Sequence, residues 1–363
     1  MASLGFGFLR LPYIEKETDY TALNSMVDCF LAGGGRYFDT SHTYLDGKSE
    51  EAIRECLVKR HPRSSFLLAT KVPGYYVKSR DDFMRYFEES RQRCGVDFFD
   101  VYMLHWLNAA HYAIAQQQNE FDYLQELKQA GRVKKIGFSF HDTADVLDTI
   151  LMQHPEVDCV LLQINYLDWE SAGIQSRLCY ETALRHGKEV LVMEPVKGGK
   201  LVSVPEKAAK ILHRIDPDAS PAALAIRFVK SLPGVQVVLS GMNSMEQLEE
   251  NLREHAPLTA EDLSALQEAA AIIQSATAIP CTACGYCVKH CPMGIPIPGC
   301  FSLYNDYAVY PRHLWKLMPA YEHLTAGQSK ASACIGCRTC EDNCPQNLPI
   351  SQHMKEIAEV FEE

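Results

Sequence analysis

Eight of the fourteen cysteines in the 363-residue chain lie in one C-terminal stretch, where they form two runs of identical spacing. In each run two residues separate the first three cysteines, three residues precede the fourth, and a proline follows directly. The first run is Cys281, Cys284, Cys287 and Cys291, and the second is Cys334, Cys337, Cys340 and Cys344. Clustered thiolates are typical metal ligands, so this stretch predicts metal binding rather than disulfide formation.

The spacing resembles that of bacterial-type ferredoxins and implies two 4Fe–4S clusters. In that pattern three thiolates of one loop face one cubane, and the fourth cysteine serves the other cluster. We therefore expect one cluster on Cys281, Cys284, Cys287 and Cys344, and the other on Cys334, Cys337, Cys340 and Cys291. Zinc is the alternative, but zinc sites normally use two C-x2-C pairs with a longer spacer between them.

The remaining cysteines stand singly, so we expect packing roles for them; they are Cys29, Cys56, Cys94, Cys159, Cys179 and Cys300. Cys300 lies between the two runs. The 42 residues between Cys291 and Cys334 form a longer connection than in a minimal two-cluster ferredoxin. We predict helices there.

A second set of reactive side chains follows predicted strands in the first third of the chain. Asp39, Lys71 and His105 each end an apolar run, and Tyr44 lies in the loop five residues after Asp39. In a TIM barrel the catalytic groups gather at the carboxyl ends of the strands. We therefore expect these four side chains to meet, although a structural Asp–Lys pair beside a packing Tyr and His is the simpler alternative.

The segments around these residues resemble motifs of the aldo-keto reductase family over about residues 1–275; they read RYFDTS at 36–41, ATKV at 69–72 and YMLHW at 102–106. The resemblance implies that Tyr44 donates a proton, that Lys71 and Asp39 tune it, and that His105 orients a carbonyl. A free tyrosine has a pKa near 10. A nearby ammonium would bring the pKa of Tyr44 toward neutrality, as an efficient general acid requires.

The same resemblance implies a nicotinamide cofactor, either NADPH or NADH. Ser139 and Gln163 match positions that hold its carboxamide, and Glu250 and Asn251 match its adenine end. Met193 falls where the family has an aromatic ring that stacks on the nicotinamide.

Several positions depart from the family pattern. Phe140 replaces an asparagine, for which His141 is a candidate substitute. Gly241 and Gln247 replace basic residues that grip a 2′-phosphate, and this leaves the choice of nicotinamide open; the candidate replacements are Lys197, Lys200 and Arg253. Four further side chains near strand ends are candidates for a substrate pocket, namely His42, Tyr75, Tyr76 and Trp106.

Strand-like apolar runs alternate with helical patterns eight times over roughly 250 residues, which predicts a (β/α)8 TIM barrel. The alternative is an open doubly wound sheet, but no glycine-rich loop follows the first strand. A further helix is expected over 259–276. We therefore predict a barrel domain at 1–277 and a mostly helical, ferredoxin-like dicluster domain at 278–363.

Composition limits the function classes. The formal net charge of −11 argues against nucleic acid or an anionic membrane as the main partner. The chain has no secretion signal and no apolar run long enough to cross a membrane, which together with the cysteine clusters predicts a cytoplasmic protein.

Three functions remain from the sequence. The first is a reductase that exchanges a hydride with a carbonyl or alcohol, with clusters that pass electrons to a redox partner protein. Hydride transfer moves two electrons whereas a cubane takes one, and no flavin motif is present to couple them. The second is an electron-transfer protein whose barrel is a docking scaffold. In the third, the clusters only stabilise the C-terminal domain.

Overall fold

The computed structural model describes residues 3–309 and 314–362. The chain divides into two compact units. The barrel unit contains the chain up to Pro195 together with Ala223–Thr259, and the C-terminal unit contains Val196–Ala222 and the chain from Ala260 onward. The predicted boundary near residue 277 stays a prediction, and the segment 196–222 is an insertion of the C-terminal unit that the sequence did not reveal.

The barrel unit is built on eight parallel strands that close on themselves. The described part of the chain contains ten strands, of which β2 and β3 form a small antiparallel hairpin and the others form the barrel. They are β1 (Ser3–Gly7), β2 (Tyr13–Ile14), β3 (Glu17–Thr18), β4 (Tyr37–Asp39), β5 (Leu67–Val72), β6 (Phe99–Leu107), β7 (Val133–Phe140), β8 (Cys159–Gln163), β9 (Glu189–Met193) and β10 (Val235–Gly241). Closure occurs at β1, where Ser3 lies opposite Val237 and Gly5 lies opposite Tyr37.

Helices follow the strands along the chain. They are α1 (Tyr20–Ala32), α2 (Lys48–Ile53), α3 (Arg80–Cys94), α4 (Ala109–Gln118), α5 (Glu120–Gln129), α6 (Ala144–Gln153), α7 (Ser176–Arg185), α8 (Glu206–Ile215), α9 (Pro221–Lys230) and α10 (Met245–Leu252). Local sequence explains several ends. Asp19 accepts a hydrogen bond from the Ala22 amide and so caps α1, and Ser79 caps α3 in the same way.

The barrel strands are buried on both faces, which is why they read as continuous apolar runs. Inward-facing side chains of successive strands fill the barrel interior; they are Tyr37, Ala69, Val101, Met103, Cys159, Leu161, Leu191, Val237 and Leu239. The interior is therefore a packed core, and reactive groups must lie at the strand ends.

The C-terminal unit is helical. Besides α8 it contains α11 (Ala260–Ser275), α12 (Tyr286–Lys289), α13 (Ile297–Val309), α14 (Leu314–Thr325), α15 (Thr339–Asp342) and α16 (Ile350–Phe361). Its core includes Cys300, Phe301, Tyr321 and Phe361. The helices predicted between the cysteine runs are α13 and α14, and residues 310–313 of that prediction lie outside the described residues. None of the helices in the described ranges combines the length and apolar character needed to cross a bilayer.

The predicted fold class is confirmed, because the sheet is a closed eight-stranded parallel barrel followed by a helical region. The open doubly wound alternative is wrong. Sequence reasoning missed the β2–β3 hairpin and the helices α4 and α8. The strands β2 and β3 have only two residues each, and α4 has no clear apolar stripe, so periodicity gave no strong indication of them. Helix α8 does have an apolar face, formed by Ala208, Ile211 and Leu212, which was a usable signal.

Candidate active site and cluster sites

Asp39 and Lys71 form a buried ion pair at the carboxyl ends of β4 and β5. Lys71 Nζ donates to Asp39 Oδ1 at 2.5 Å and to the Thr40 carbonyl oxygen at 2.8 Å. Burial raises the pKa of Asp39 and lowers the pKa of Lys71, and the attraction between the two opposes both shifts. The two groups therefore depend on each other for their charge.

Tyr44 lies in the loop after β4. The loop is held in an unusual conformation, because Leu45, Asp46 and Gly47 all have positive φ values of 52°, 56° and 90°. Left-handed backbone at two non-glycine residues is costly and is often found at functional sites. The ring of Tyr44 packs edge-on against His105, and Lys71 Nζ lies 4.9 Å from its centroid.

The proton of Tyr44 is held tightly. Burial, followed by the carboxylates of Asp39 and Glu194, raises the pKa of Tyr44 well above its ordinary value. This direction is opposite to the one expected from the sequence, because Lys71 faces the ring of the phenol and the whole group is shielded from water. Tyr44 is therefore a neutral phenol near pH 7.

His105 lies near the carboxyl end of β6, and its side chain is buried. Its Nδ1 lies 3.2 Å from Ser41 Oγ and 3.4 Å from Thr43 Oγ1. Burial and the Lys71 charge lower the pKa of His105 well below its ordinary value, so the imidazole is neutral. A hydroxyl can donate to an unprotonated Nδ1, and this arrangement accommodates the tautomer with its proton on Nε2.

An aromatic wall adjoins these groups. The ring of Tyr75 stacks on His111 with 4.8 Å between centroids, and it lies 6.0 Å from Trp106 and 6.4 Å from His105. Trp106 sits at an irregular point of β6 with φ 61°, which turns its ring out of the regular strand pattern. Tyr75 and Trp106 thus join the predicted pocket.

The other two pocket candidates differ in their relation to this wall. Tyr76 packs edge-on against Tyr75, with 4.6 Å between ring centroids, whereas His42 contacts α3. His42 Nε2 bonds to Glu89 Oε2 at 2.8 Å, and the His42 ring packs on Tyr86 of α3. Tyr76 is half exposed. The structure therefore gives His42 a partner on a neighbouring helix.

The predicted carboxamide contacts are placed at the ends of β7 and β8. Ser139 Oγ accepts a 2.7 Å hydrogen bond from the Trp106 amide, and Gln163 Nε2 donates to Asp168 Oδ2 at 3.0 Å. Met193, at the end of β9, packs against the barrel interior. His141 is partly buried, and its buried Nδ1 has no hydrogen-bond partner among the described residues.

Glu250 and Asn251 are placed elsewhere in the barrel unit. They line a cleft of about 780 Å³ beside α9 and α10, whose walls include Ser3, Gly34 and Val235 from the starts of strands. None of the four tetrad residues lines this cleft. Asn251 is buried, and its Nδ2 donates to Ser240 Oγ at 3.2 Å.

The basic residues considered for binding a 2′-phosphate also lie in two different places. Arg253 lines the cleft beside Glu250. Lys197 and Lys200 belong to the C-terminal unit, where they donate to Gln346 Oε1 at 3.2 Å and to the Ile279 carbonyl oxygen at 2.9 Å. The side chains of these two lysines therefore contact the cysteine-rich region.

The eight clustered cysteines surround two cavities in the C-terminal unit. One cavity is lined by Cys281, Cys284, Cys287 and Cys344. The other is lined by Cys291, Cys334, Cys337 and Cys340. We call them the Cys281 site and the Cys334 site. The fourth cysteine of each run lies with the other run, which is the exchange that the ferredoxin spacing predicts.

The donor set at both cavities fits an extended group better than a single ion. Within the described residues, no three His, Cys, Asp or Glu side chains lie close enough to share one metal ion. The four thiols of each site instead surround a space with apolar walls, and Ile350 contributes to both walls. A cubane with irons at separate corners requires thiols spaced apart in this way, whereas tetrahedral zinc requires them to converge.

Sequence reasoning missed two sets of site residues. The hydroxyls of Ser41 and Thr43 contact His105, and their position just after β4 was a usable signal because that strand end was already a candidate site. The contacts of Lys197 and Lys200 carried no such signal, since about 80 residues separate Lys200 from Ile279.

Comparison with known families agrees with this geometry. Residues 3–271 match the aldo/keto reductase family, and residues 280–348 match a 4Fe-4S dicluster domain. The chain belongs to the aldo/keto reductase family.

Relatives and solved structures resemble the barrel part. The oxidoreductase YqkF of Bacillus subtilis is 24% identical over 295 residues, covering 74% of this chain and 92% of that protein. An aldo-keto reductase of Mycobacterium avium is 26% identical over 252 residues, covering 69% and 80%.

Two solved structures share the fold. An aldo-keto reductase from Bacillus halodurans in its holo form aligns with a TM-score of 0.61 at 24% identity, covering 74% of this chain and 91% of that one. An aldo-keto reductase from Klebsiella pneumoniae in complex with NADPH aligns with a TM-score of 0.60 at 20% identity, covering 73% and 90%.

Proposed function

We propose that the protein is an oxidoreductase that reduces a small carbonyl compound, or oxidises the corresponding alcohol, at the mouth formed by Asp39, Tyr44, Lys71 and His105. The observation that carries the proposal is the Lys71–Asp39 ion pair beneath the ring of Tyr44, with His105 against the same ring. Separate strand ends supply these groups, as the catalytic groups of a TIM barrel are supplied.

Tyr44 acts as the proton donor in the reduction direction. A phenol whose pKa lies above its ordinary value keeps its proton at pH 7 and can give it to a developing alkoxide, whose own basicity is high. The nearby Lys71 ammonium stabilises the phenolate that remains. Asp39 keeps Lys71 charged in its buried position.

His105 orients the substrate. With Nδ1 accepting from Ser41 or Thr43, its Nε2–H is available to donate to the carbonyl oxygen that takes the proton. Tyr75 and Trp106 provide an apolar wall that limits water near the reacting carbon.

A nicotinamide, NADPH or NADH, supplies the hydride when bound. The side chains at the end of β7 fit its carboxamide, because the Ser139 hydroxyl proton can donate and the buried His141 Nδ1 can accept. Phe140 and Met193 lack polar groups for this role. Gln163, at the end of β8, is held in place by Asp168.

A titration with NADH and NADPH tests this proposal. We expect quenching of protein fluorescence by one of the two, followed by substrate-dependent oxidation of that cofactor. His141→Ala should weaken the binding, whereas His42→Ala, which alters a histidine bound to Glu89, should not. No quenching by either nicotinamide would exclude the hydride reaction.

Electron transfer through two 4Fe–4S clusters is the second candidate function, with a redox partner protein. The observation that favours it is the exposure of the Cys334 site. Cys337 is exposed, and the neighbouring Ile335 is 65% exposed although it is apolar. An exposed cluster edge with an apolar neighbour allows the close approach that electron exchange with another protein needs.

Visible absorbance in the same titration separates the two functions. Bleaching of the clusters by a nicotinamide would indicate that the two centres are coupled. Turnover without bleaching, combined with rapid reduction by a ferredoxin-type donor, would indicate that the clusters serve a separate electron path.

A further inference from the structure

The segment Lys197–Lys200 follows β9 by only three residues, yet it belongs to the C-terminal unit. Lys197 is 98% buried, and its Nζ donates to Gln346 Oε1 at 3.2 Å. Gln346 stands two residues after Cys344 and lines the Cys281 site. The buried ammonium of Lys197 therefore contacts a side chain that forms part of the wall of this cavity.

Lys200 holds the start of the loop that carries the first cysteines. Its Nζ donates to the Ile279 carbonyl oxygen at 2.9 Å. The same oxygen accepts from the Cys281 amide at 2.9 Å and from Asn305 Nδ2 at 2.8 Å. The Ile279 carbonyl oxygen thus connects Lys200, Asn305 of helix α13 and Cys281, the first predicted cluster ligand.

The segment is fitted closely to this loop. Gly198 has φ 64°, and a Cβ at this position would collide with the carbonyl oxygen of Thr282, the residue after Cys281. The backbone between the two lysines therefore lies directly against the loop that carries Cys281. Both ammonium groups interact electrostatically with the Cys281 thiol.

The Cys334 site has a different charge environment. The cation among its lining residues is Arg338, which is exposed and paired with Glu341 at 2.8 Å. Exposed pairs contribute weak fields because water screens them. The ammonium of Lys197 is buried and that of Lys200 is partly buried, so both act through a lower effective dielectric and are screened less.

We propose that Lys197 and Lys200 raise the reduction potential of the cluster at the Cys281 site and leave that of the Cys334 site nearly unchanged. The inference rests on the cluster binding proposed above. Reduction adds one electron to a cubane that already carries net negative charge with its thiolates, and no bond forms or breaks. Nearby positive charge favours the reduced form and therefore raises the potential.

Anaerobic redox titration followed by EPR, with dithionite as the reductant, tests the proposal on the full chain. We expect Lys200→Met and Lys197→Met each to lower one of the two midpoint potentials, and Lys200→Arg to restore the wild-type value. Lys210→Met is the matched control, since Lys210 lies on α8 of the same unit, exposed and paired with Glu206. It should move neither potential.

A substitution that adds a positive charge beside the Cys334 site shows which of the two potentials belongs to which site. Ile335→Lys places an ammonium on the exposed residue beside Cys334, and it should raise the potential that the two lysine variants leave unchanged. The proposal is overturned if Lys200→Met and Lys197→Met leave both potentials in place, shift both equally, or shift the one that Ile335→Lys moves. If Lys200→Met loses iron, Lys197→Met decides the matter, because Lys197 does not bond to Ile279.

Iron and sulfide analysis of the wild-type protein keeps the two proposals apart. A preparation without clusters contradicts the proposed cofactors. If both clusters are present but the lysine substitutions leave their potentials unchanged, only the inference about the two lysines is contradicted.

Discussion

Lys71 Nζ lies 2.5 Å from Asp39 Oδ1, and neither side chain is more than 4% exposed. A buried pair of this kind is costly to form and more costly to break, because removing one partner leaves a charge without compensation. The pair therefore explains both the rigidity of the mouth and the position of a cation against Tyr44. Stability and chemistry depend here on the same two residues.

Removing one member of this pair should destabilise the barrel. We expect Lys71→Met to lower the free energy of unfolding by about 3–5 kcal/mol, because Asp39 remains buried without a partner. The double variant Asp39→Asn with Lys71→Met should recover a large part of the loss. Urea denaturation measures both. Lys59→Met, which breaks an exposed pair with Glu55, should change stability little, and equal effects at both lysines would contradict the role of burial.

Loss of the Tyr44 hydroxyl should remove proton donation without harming the fold. We expect Tyr44→Phe to lower kcat/KM for carbonyl reduction by about 10²–10⁴-fold, the usual contribution of a positioned general acid. Nicotinamide affinity and iron content should be unchanged. Tyr76→Phe removes the hydroxyl of a half-exposed tyrosine in the segment after β5, and it should retain turnover. Full activity in Tyr44→Phe would remove Tyr44 from the reaction.

Glu120 predicts a pH dependence of stability that is independent of catalysis. It is fully buried, neither carboxylate oxygen has a hydrogen-bond partner in the described part of the chain, and burial raises the pKa of Glu120 to about 7. The folded state holds this proton more tightly than the unfolded state, so stability falls as pH rises from about 4.5 to about 7. This loss of stability is complete above about pH 7 and absent below about pH 4.5.

The variant Glu120→Gln should abolish this dependence. Relative to the wild type, it should gain up to about 3 kcal/mol in unfolding free energy at pH 8 and much less at pH 5. Glu126→Gln, at an exposed position of the same helix α5, should leave the wild-type dependence in place. A wild-type stability that is flat between pH 5 and pH 8 would show that Glu120 has another partner in solution.

Paired cysteine substitutions should reveal how the ligands are shared. If the two cavities hold the clusters, Cys291→Ala with Cys334→Ala alters one site, and about four of eight irons should remain. Cys291→Ala with Cys344→Ala alters both sites, and iron should be nearly absent. Ligation of each cluster by its own sequence run would give nearly complete loss of iron in the first pair. Anaerobic iron analysis distinguishes the two patterns.

Much of the site could be predicted from the sequence because its signals are local. Asp39, Lys71 and His105 each end an apolar run, and a parallel barrel brings the carboxyl ends of its strands to one mouth. Roles that depend on distant partners are harder to predict from the sequence. The adenine candidates illustrate this and stay a prediction, since Asn251 lines a cleft that contains no tetrad residue.

By itself, the sequence determined the barrel, the two cysteine runs and the exchange of their fourth members, because periodicity and spacing are properties of neighbouring residues. The tertiary structure alone decided that Lys200 contacts the Cys281 loop and Lys197 contacts Gln346, and that Lys71 faces the ring of Tyr44. It also decided that the buried Glu120 carboxylate has no hydrogen-bond partner among the described residues. These features depend on which atoms the folded chain brings together and which it removes from water. Burial and long-range contact set charge and pKa, and neither can be read from the order of residues.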